Sequence, residues 1–268
     1  MPTLAGAAIG TGLAAIIALA AWRTGSLSRS GALAALLTGG IAMSAGARWG
    51  AFLVGWFVTA SLATRIGRRA KEAATGDVVA KGGPRDAAQV FANGGVYAAC
   101  ALVGLTGLAS APSPLLAMMG AAALVAAGAD TLATETGTLW RGQPWSLRTF
   151  GTVPTGTSGA MSAPGTAGMV AGALGLAALA HLCGLIPRAH VLAVAYSGIA
   201  GATADTLIGA WWQSRRWCPA CERETEQSVH RCGAATQWCR GVAWLSNDVV
   251  NLLCTVVGAG TAWMLGPR

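Results

Sequence analysis

Apolar residues occur along this chain in long runs that are separated by short polar stretches. A transmembrane helix needs roughly 20 consecutive apolar residues, and most of the runs approach that length. The second and third runs are the shortest, so we expect tilted or imperfect spans there. The pattern predicts an all-α protein, a polytopic transmembrane helical bundle of about eight spans. The runs cover residues 4–22, 31–46, 49–64, 91–111, 115–135, 163–186, 189–212 and 243–265.

The composition supports a membrane protein and excludes a water-soluble domain. Hydrophobic residues make up 54% of the 268 positions and charged residues only 10%, against about 25% charged in soluble domains. The first run has no basic residue before it, so we expect a retained span rather than a cleaved signal peptide. We therefore predict a single membrane-embedded domain, 1–268, with a cytoplasmic cysteine-containing loop at 213–242.

Basic residues are concentrated after the first, third, fifth and seventh runs. By the positive-inside rule these four loops are cytoplasmic, which places both termini outside, and we expect the cell inner membrane. The net charge of +8 is spread over loops beside the spans, without the interleaved aromatic residues of nucleic-acid-binding surfaces. The charge pattern therefore predicts membrane lipids or phosphorylated small molecules as partners and no nucleic acid. Alternatively, the charges only set the topology.

Four carboxylates lie within or at the ends of predicted spans, where a buried charge is costly without a partner. They are Asp130, Glu135, Asp205 and Asp248, and all are expected near the cytoplasmic face. Together with nearby asparagine side chains they would form an oxygen-rich cluster, which is the kind of site that Mg²⁺ prefers. The alternative is that they pair with Arg, Thr or backbone groups and only stabilise the bundle.

The spacing of these polar residues shows which of them share a helix face. Asn247 and Asn251 are four residues apart and lie on one face, with Asp248 beside them. Asp130 and Glu135 are five residues apart, about 140° around an ideal helix. We therefore expect both to face one site only if the helix breaks nearby.

Two short patterns occur twice in the chain. Ala-Asp-Thr-Leu stands at 129–132 and again at 204–207, and Asn93 begins the fourth run much as Asn247 begins the eighth. We interpret these matches as a candidate internal duplication, with two halves packed around one shared site.

The loop that precedes the fourth run combines glycines with basic groups. It contains Lys81, Arg85, Asp86 and Gln89 and leads into a helix whose first amides favour anions. We expect it to bind phosphate. It is not a Walker A motif, and the alternative is an ordinary turn before a helix.

A second polar loop, 153–162, precedes the sixth run and is rich in glycine and hydroxyl side chains, including Thr157 and Ser158. Such a loop can close over a polar ligand with its backbone amides. It can equally be a linker, and its interest comes from lying on the same side as the other polar elements.

Four cysteines share the polar segment between the seventh and eighth runs. Cys218 and Cys221 form a good Cys-x-x-Cys pair, and His230 with Cys232 supplies two further ligands, which suits a structural Zn²⁺. Cys239 could replace one member of the cramped second pair. Reduced, unliganded thiols or a disulfide remain the alternatives.

Five motifs in this order resemble one known family of integral membrane proteins. That family includes phytyl-phosphate kinase of chloroplasts and many uncharacterised prokaryotic members. The motifs cover most of the chain from residue 81 onward. They are Lys-Gly-Gly-x-Arg-Asp-x-x-Gln-Val-x-Ala-Asn-Gly-Gly (81–95), Ala-Asp-Thr-Leu-Ala-Thr-Glu-x-Gly (129–137), Val-Pro-x-Gly-Thr-Ser-Gly-Ala-x-Ser (153–162), Ala-Asp-Thr-Leu-Ile-Gly-Ala (204–210) and Asn-Asp-x-Val-Asn (247–251).

The resemblance implies a membrane-embedded kinase of isoprenoid metabolism. Such an enzyme transfers a phosphoryl group from a nucleoside triphosphate (CTP, UTP or ATP) to a prenyl monophosphate, phytyl or geranylgeranyl, and yields the diphosphate. The acceptor phosphate is already an anionic nucleophile, so catalysis would depend on Mg²⁺, cationic groups and alignment.

The resemblance also implies roles for particular residues. Asp130, Asp205 and Asp248 are expected to bind the metal or its waters, and Glu135 is a further candidate ligand. Lys81 and Arg85 would neutralise phosphates and take part in catalysis. The remaining polar residues would bind substrate or phosphate oxygens: Asp86, Gln89, Asn93, Thr157, Ser158, Asn247 and Asn251.

Two other functions fit the same sequence features. Polar residues in paired half-repeats also describe the substrate path of a transporter or flippase for a lipid-linked phosphate. A Mg²⁺-dependent lipid nucleotidyl or phosphatidyl transferase would use the same charged groups. Transport requires access from both membrane faces, which an enzyme does not.

Overall fold

The computed structural model describes residues 4–79, 83–107, 113–140 and 142–266, and within these ranges it is dominated by helices. A long helix occupies each of the eight predicted apolar runs, and a short helix follows the third. The protein is an all-α polytopic membrane protein, as predicted. In chain order the helices are α1 (Leu4–Arg23), α2 (Arg29–Ala45), α3 (Ala47–Arg65), α4 (Arg68–Thr75), α5 (Ala87–Thr106), α6 (Ser113–Leu139), α7 (Ala163–Leu182), α8 (Val191–Trp211) and α9 (Asn247–Leu265).

Fewer helices of the described structure have the length and apolar composition of a membrane span than the sequence predicted. Five described helices, α5 to α9, are long and apolar enough to cross a membrane, and α3 joined to α4 makes six, although that pair bends by 71°. The α2 helix has only 17 residues, and α1 contributes the shorter apolar stretch Ala8–Arg23 among the described residues. The count of eight crossings therefore stays a prediction.

The longest helix, α6, runs through the centre of the bundle and packs against α3, α5, α7, α8 and α9. Its residues from Ala121 to Ala127 are almost completely buried, because neighbouring helices approach its small side chains closely. A Cβ atom at Gly128 would lie 2.2 Å from a Leu176 side-chain carbon. Close contacts of this kind are how helices associate in lipid, where no hydrophobic force drives them together.

The two helices that carry Ala-Asp-Thr-Leu, α6 and α8, pack side by side and run in the same direction. A Cβ at Gly198 would touch Val125, and one at Gly201 would touch Ala126. Since α5 and α9 also contact each other, through a 3.2 Å hydrogen bond from Thr255 Oγ1 to the Ala92 carbonyl, the repeated motifs come in two adjacent pairs. The duplication of the chain itself stays a prediction.

Short strands form where the chain is too polar to enter the bundle. Strands β1 (Trp145–Ser146) and β2 (Ala160–Met161) pair antiparallel. Strands β3 (Arg215–Cys218), β4 (Arg223–Thr225) and β5 (Gln237–Arg240) form an antiparallel sheet in the order β4-β3-β5. This sheet lies against the segment that follows α4. We call residues 68–79 and 213–245 together the cap.

Candidate functional site

A polar cavity of about 830 Å³ lies at one end of the helix bundle. The carboxyl-terminal ends of α3, α6 and α8 and the first turns of α5, α7 and α9 line it, together with the cap. This arrangement follows from the alternating direction of the helices, which brings every second loop to the same end. Eleven residues predicted for the site line the cavity: Arg85, Gln89, Asn93, Asp130, Glu135, Thr157, Ser158, Asp205, Asn247, Asp248 and Asn251.

One of the remaining predicted residues is placed elsewhere, and the other lies outside the described part of the chain. Asp86 caps α5: its Oδ1 accepts a hydrogen bond from the Gln89 amide at 3.0 Å, and Gln89 Oε1 accepts one from the Asp86 amide at 3.1 Å. This capping box fixes where α5 begins, and Asp86 is not among the residues that line the cavity. Lys81 lies outside the described residues.

The carboxylates of α6, α8 and α9 converge from three helices. Asp130 is at the end of the buried part of α6, and Asp205 lies on the adjacent α8. Asp205 Oδ2 is buried and has no hydrogen-bond partner among the described residues. Asp248 lies in the first turn of α9 and lines the same cavity. Carboxylate oxygens in such a cluster have the chemistry that a hard divalent cation requires.

Arg85 faces the acidic side of the cavity from the start of α5. Its backbone pairs with the segment before α2, with Ser28 N donating to Arg85 O at 2.9 Å and Arg85 N to Ser26 O at 3.1 Å. Gly31 makes this contact possible, since a Cβ there would lie 2.0 Å from the Arg85 carbonyl oxygen. Burial lowers the pKa of Arg85, and the charge of Glu135 opposes that effect. An arginine remains cationic under such conditions, so the cavity holds a fixed positive charge.

The asparagines add neutral polar groups on two sides. Asn93 donates from Nδ2 to the Gln89 carbonyl at 2.9 Å, which leaves its Oδ1 as the remaining acceptor. Asn247 and Asn251 lie one turn apart on α9 and line the cavity, as their spacing predicted.

Glu135 is held by a buried lysine of the cap. Lys71 Nζ contacts Glu135 Oε2 and also donates to the Ala63 carbonyl at 2.7 Å. The expected break in α6 is absent, because the helix continues to Leu139. Asp130 and Glu135 nevertheless line the same cavity, because the cavity extends around two sides of the carboxyl-terminal end of α6.

The glycine-rich loop 153–162 is tied to the cap by a polar network. Ser158 Oγ donates to Glu226 Oε1, and the buried Arg215 donates to the same carboxylate oxygen at 2.7 Å. Thr157 donates to the Pro154 carbonyl at 2.7 Å. Gly159 has a φ of +72°, and a Cβ there would lie 2.3 Å from the Ala210 backbone. Only glycine therefore allows this loop to lie directly on α8.

The cysteine segment brings its four predicted ligands together in the cap. The ligand atoms of Cys218, Cys221, His230 and Cys232 all lie within 4.8 Å of one another. The hydrogen bond with His230 lowers the pKa of the Cys232 thiol to about 6. Cys239, the considered substitute, is exposed on β5 and is not in this group among the described residues.

The pattern of the whole chain matches a known family. Residues 12–259 match the family described as integral membrane protein DUF92. The chain belongs to the DUF92 family. This confirms the family resemblance seen in the motifs and places the cavity in a family of integral membrane proteins.

Several relatives of this DUF92 protein cover most of its length. Protein PGR of Arabidopsis thaliana is 30% identical over 90% of this chain and 89% of its own. An uncharacterized membrane protein of Synechocystis sp. is 29% identical over 83% of this chain and 76% of its own. The chloroplastic protein VTE6 of Arabidopsis thaliana is 28% identical over 89% of this chain and 65% of its own. No solved structure matches the chain.

Several polar residues of the DUF92 cavity were not predicted from the sequence as site residues. Lys71 belongs to a basic stretch that the sequence links to anionic partners or to topology and not to a particular buried contact, and its side chain is only 7% exposed. Glu226, Gln213 and Arg231 reach the cavity from the cap. The one available signal was the strongly amphipathic character of residues 68–75, which predicts a helix with one buried face.

Proposed function

We propose that this DUF92 protein is a prenyl-phosphate kinase embedded in the membrane. It transfers a phosphoryl group from a nucleoside triphosphate to a phytyl or geranylgeranyl monophosphate and yields the diphosphate. The family resemblance of the motifs supports the reaction class. The shape and charge of the described cavity support an amphiphilic substrate.

The observation that carries the proposal is the contact between a polar cavity and an apolar pocket. A narrow pocket of about 80 Å³ lies between α1, α2, α3 and α5 and is lined mainly by Ala, Ile, Leu, Val and Phe side chains. Arg85, Gln89 and Asn93 line both spaces. A ligand with its phosphate beside Arg85 can therefore place part of its hydrocarbon tail in the apolar pocket.

The cavity also fits a magnesium ion. Asp205 Oδ2 is buried and lacks a hydrogen-bond partner among the described residues, and Asp130 and Asp248 line the same space. These three carboxylates would hold Mg²⁺, which when bound neutralises the charge that develops on a transferred phosphoryl group. Glu135 is already neutralised by Lys71, so it is the weaker candidate ligand.

The remaining residues have roles that suit phosphoryl transfer between two anions. The guanidinium of Arg85 stays charged and reduces repulsion between the acceptor phosphate and the nucleotide. Asn93, Asn247 and Asn251 orient phosphate oxygens through neutral dipoles. No base is required, since the acceptor phosphate is already an anion at neutral pH. Alignment and electrostatics then supply the rate enhancement.

An enzyme is favoured over a transporter by where the cavity ends. Its lining residues come from one end of the helices, and the next turns of α6 toward the opposite face, Ala121 to Ala127, are fully packed in protein. A flippase needs a path to both faces. Our proposal further places the cavity on the cytoplasmic side of the cell inner membrane, with both termini outside, because the basic loops lie at the cavity end.

The decisive experiment uses the full chain purified in detergent. The protein is mixed with Mg²⁺, geranylgeranyl or phytyl phosphate, and CTP, UTP or ATP labelled at the γ-phosphate. We expect labelled prenyl diphosphate with at least one nucleotide. Folded protein that yields no diphosphate with any combination refutes the kinase, and a nucleotidylated lipid product would instead identify a nucleotidyl transferase.

A matched pair of variants links the activity to the cavity. Asp205→Asn keeps the size of the side chain but removes its charge, and we expect turnover to fall by at least about 10²-fold while the protein stays folded. Glu222→Gln makes the same chemical change at an exposed residue of the β3-β4 turn, and it should leave turnover unchanged. Equal activity of both variants would remove Asp205 from the mechanism.

A further inference from the structure

The four ligand atoms of the cysteine segment have the spacing of a tetrahedral metal site. Zinc–sulfur bonds of about 2.3 Å and zinc–nitrogen bonds of about 2.0 Å place two sulfurs about 3.8 Å apart and sulfur and nitrogen about 3.5 Å apart. In the structure, Cys218 Sγ and Cys232 Sγ are 3.7 Å apart. His230 Nδ1 is 3.5 Å from Cys221 Sγ and 3.2 Å from Cys232 Sγ.

The alternatives raised by the sequence fit this geometry less well. A disulfide requires sulfur atoms about 2.05 Å apart, and all seven cysteines are free thiols in the structure. Cysteines that bind no metal give no reason for three sulfurs and an imidazole nitrogen to surround one point. Four protein ligands also leave no open coordination position, which is typical of a structural rather than a catalytic zinc site.

The sheet beside these ligands has ion pairs such as Arg240 with Glu224 but almost no hydrophobic core. It is built from three short strands, and Cys218 is the one residue of β3 to β5 that is both apolar and fully buried in the described structure. Small units without a hydrophobic core commonly depend on a bound metal for their fold.

Strand β4 and the residues that follow it hold residues 76–79, which come directly after α4. Gln227 Nε2 donates to the carbonyls of Gly76 and Val79 at 2.8 and 2.9 Å, and Glu226 N donates to the Val78 carbonyl at 2.8 Å. Arg231, which lies between the ligands His230 and Cys232, lines the cavity. The geometry of the ligands is therefore connected to one wall of the cavity.

We propose that Cys218, Cys221, His230 and Cys232 bind one structural Zn²⁺, which fixes the cap against residues 75–79 and thereby shapes one wall of the polar cavity. The metal takes no part in chemistry. The proposal is independent of the reaction that the cavity catalyses, since it concerns metal content and the stability of the cap.

The test measures zinc in the full chain purified without chelators from zinc-supplemented medium. We expect about one Zn²⁺ per chain by elemental analysis, the same content in Cys239→Ser, and loss of most of the metal in Cys218→Ser. Cys239 is the matched control because it lies in the same sheet but outside the ligand group. A folded wild-type protein without zinc, or equal zinc in both variants, overturns the proposal.

A second measurement needs no variant and so does not depend on whether Cys218→Ser folds. Replacing the metal of the wild-type protein with Co²⁺ should give the visible and thiolate charge-transfer absorption of a tetrahedral sulfur-rich site, and the absence of these bands refutes the site. Thiol titration of the denatured, unreduced protein should find all seven cysteines. Finding two fewer would show a disulfide in place of the metal.

Discussion

The helix bundle and the cap hold together by different kinds of contact. In the bundle, α6 is enclosed by helices that touch its alanines and glycines, and hydrophobic side chains fill the remaining space. In the cap, charged and polar side chains make most of the contacts, such as Arg215 with Glu226 and Arg240 with Glu224. The cavity lies where the two regions meet, so it is lined by the carboxylates of the helices and by charged side chains of the cap.

The difference explains how a chain with so few charges can build a highly charged site. Small side chains let three helices pack closely and bring Asp130, Asp205 and Asp248 to one end of the bundle. The cap then places cations such as Lys71 and Arg231 opposite them. Substitutions at contacts between the cap and the bundle should therefore have larger effects on stability and binding than substitutions at the exposed surface of either region.

The largest effect is expected at the ion pair that joins the cap to α6. Lys71→Met leaves Glu135 buried without its partner, so the free energy of unfolding should fall by about 3–5 kcal/mol. The measurement is equilibrium unfolding in mixed detergent micelles. Lys71→Met combined with Glu135→Leu removes both charges and should recover most of the loss. If the double variant is no more stable than the single one, the pair does not join the regions as described.

The next effect concerns phosphate binding at Arg85. Arg85→Ala should weaken the binding of geranylgeranyl phosphate by about 10- to 100-fold, because a hydrogen-bonded charge contributes about 1.5–3 kcal/mol. Arg85→Lys keeps the charge without the two-pronged geometry and should fall in between. Equilibrium binding in detergent measures this without turnover. Arg29→Ala, at an arginine that does not line the cavity, is the control, and equal weakening in that variant would contradict a specific role for Arg85.

A smaller effect is expected on the preference for tail length. Gly94 lines the apolar pocket, and a Cβ there meets no atom within 4 Å, so Gly94→Leu can fill the pocket without moving the backbone. We expect the ratio of kcat/KM for geranylgeranyl over geranyl phosphate to fall by about 10-fold. Gly12→Leu, at an equally open position outside the pocket, should not change this ratio. An unchanged ratio in Gly94→Leu would place the tail elsewhere.

The smallest effect is expected at the exposed ion pair of the cap. Arg68 and Glu72 lie one turn apart on α4 with more than half of each side chain in solvent. Arg68→Ala should lower the free energy of unfolding by no more than about 0.5 kcal/mol, measured under the same conditions as Lys71→Met. A loss as large as that of Lys71→Met would show that burial does not distinguish the two pairs.

Most of the fold followed from the sequence because long apolar runs have a single physical explanation. Each of the eight runs became a helix, and the alternation of basic loops correctly placed the polar motifs at one end of the bundle. The bend between α3 and α4 was not predicted, since residues 68–75 are too polar to continue an apolar run. The strands of the cap were missed for a related reason: they are three or four residues long, too short to show a pattern.

The site was predictable only where a residue is conspicuous in its own segment. A carboxylate inside an apolar run, such as Asp205, is conspicuous because burying its charge costs free energy. Lys71 is one basic residue among several, and what distinguishes it is a partner 64 positions away along the chain. Glu226 likewise meets Ser158 across 68 positions. Spacing along one helix cannot reveal such pairs, because they exist only after the cap has docked on the bundle.

The central position of α6 has a consequence for biosynthesis. The helices that enclose α6 are made both before it, as α3 and α5 are, and after it, as α7, α8 and α9 are. Asp130 therefore leaves the ribosome well before Asp205, and Asp248 follows only with the last helix described. A partly translated chain holds its first acidic residue without the other two. The three acidic residues of the cavity can consequently come together only after α9 has been added beside α5 and α8.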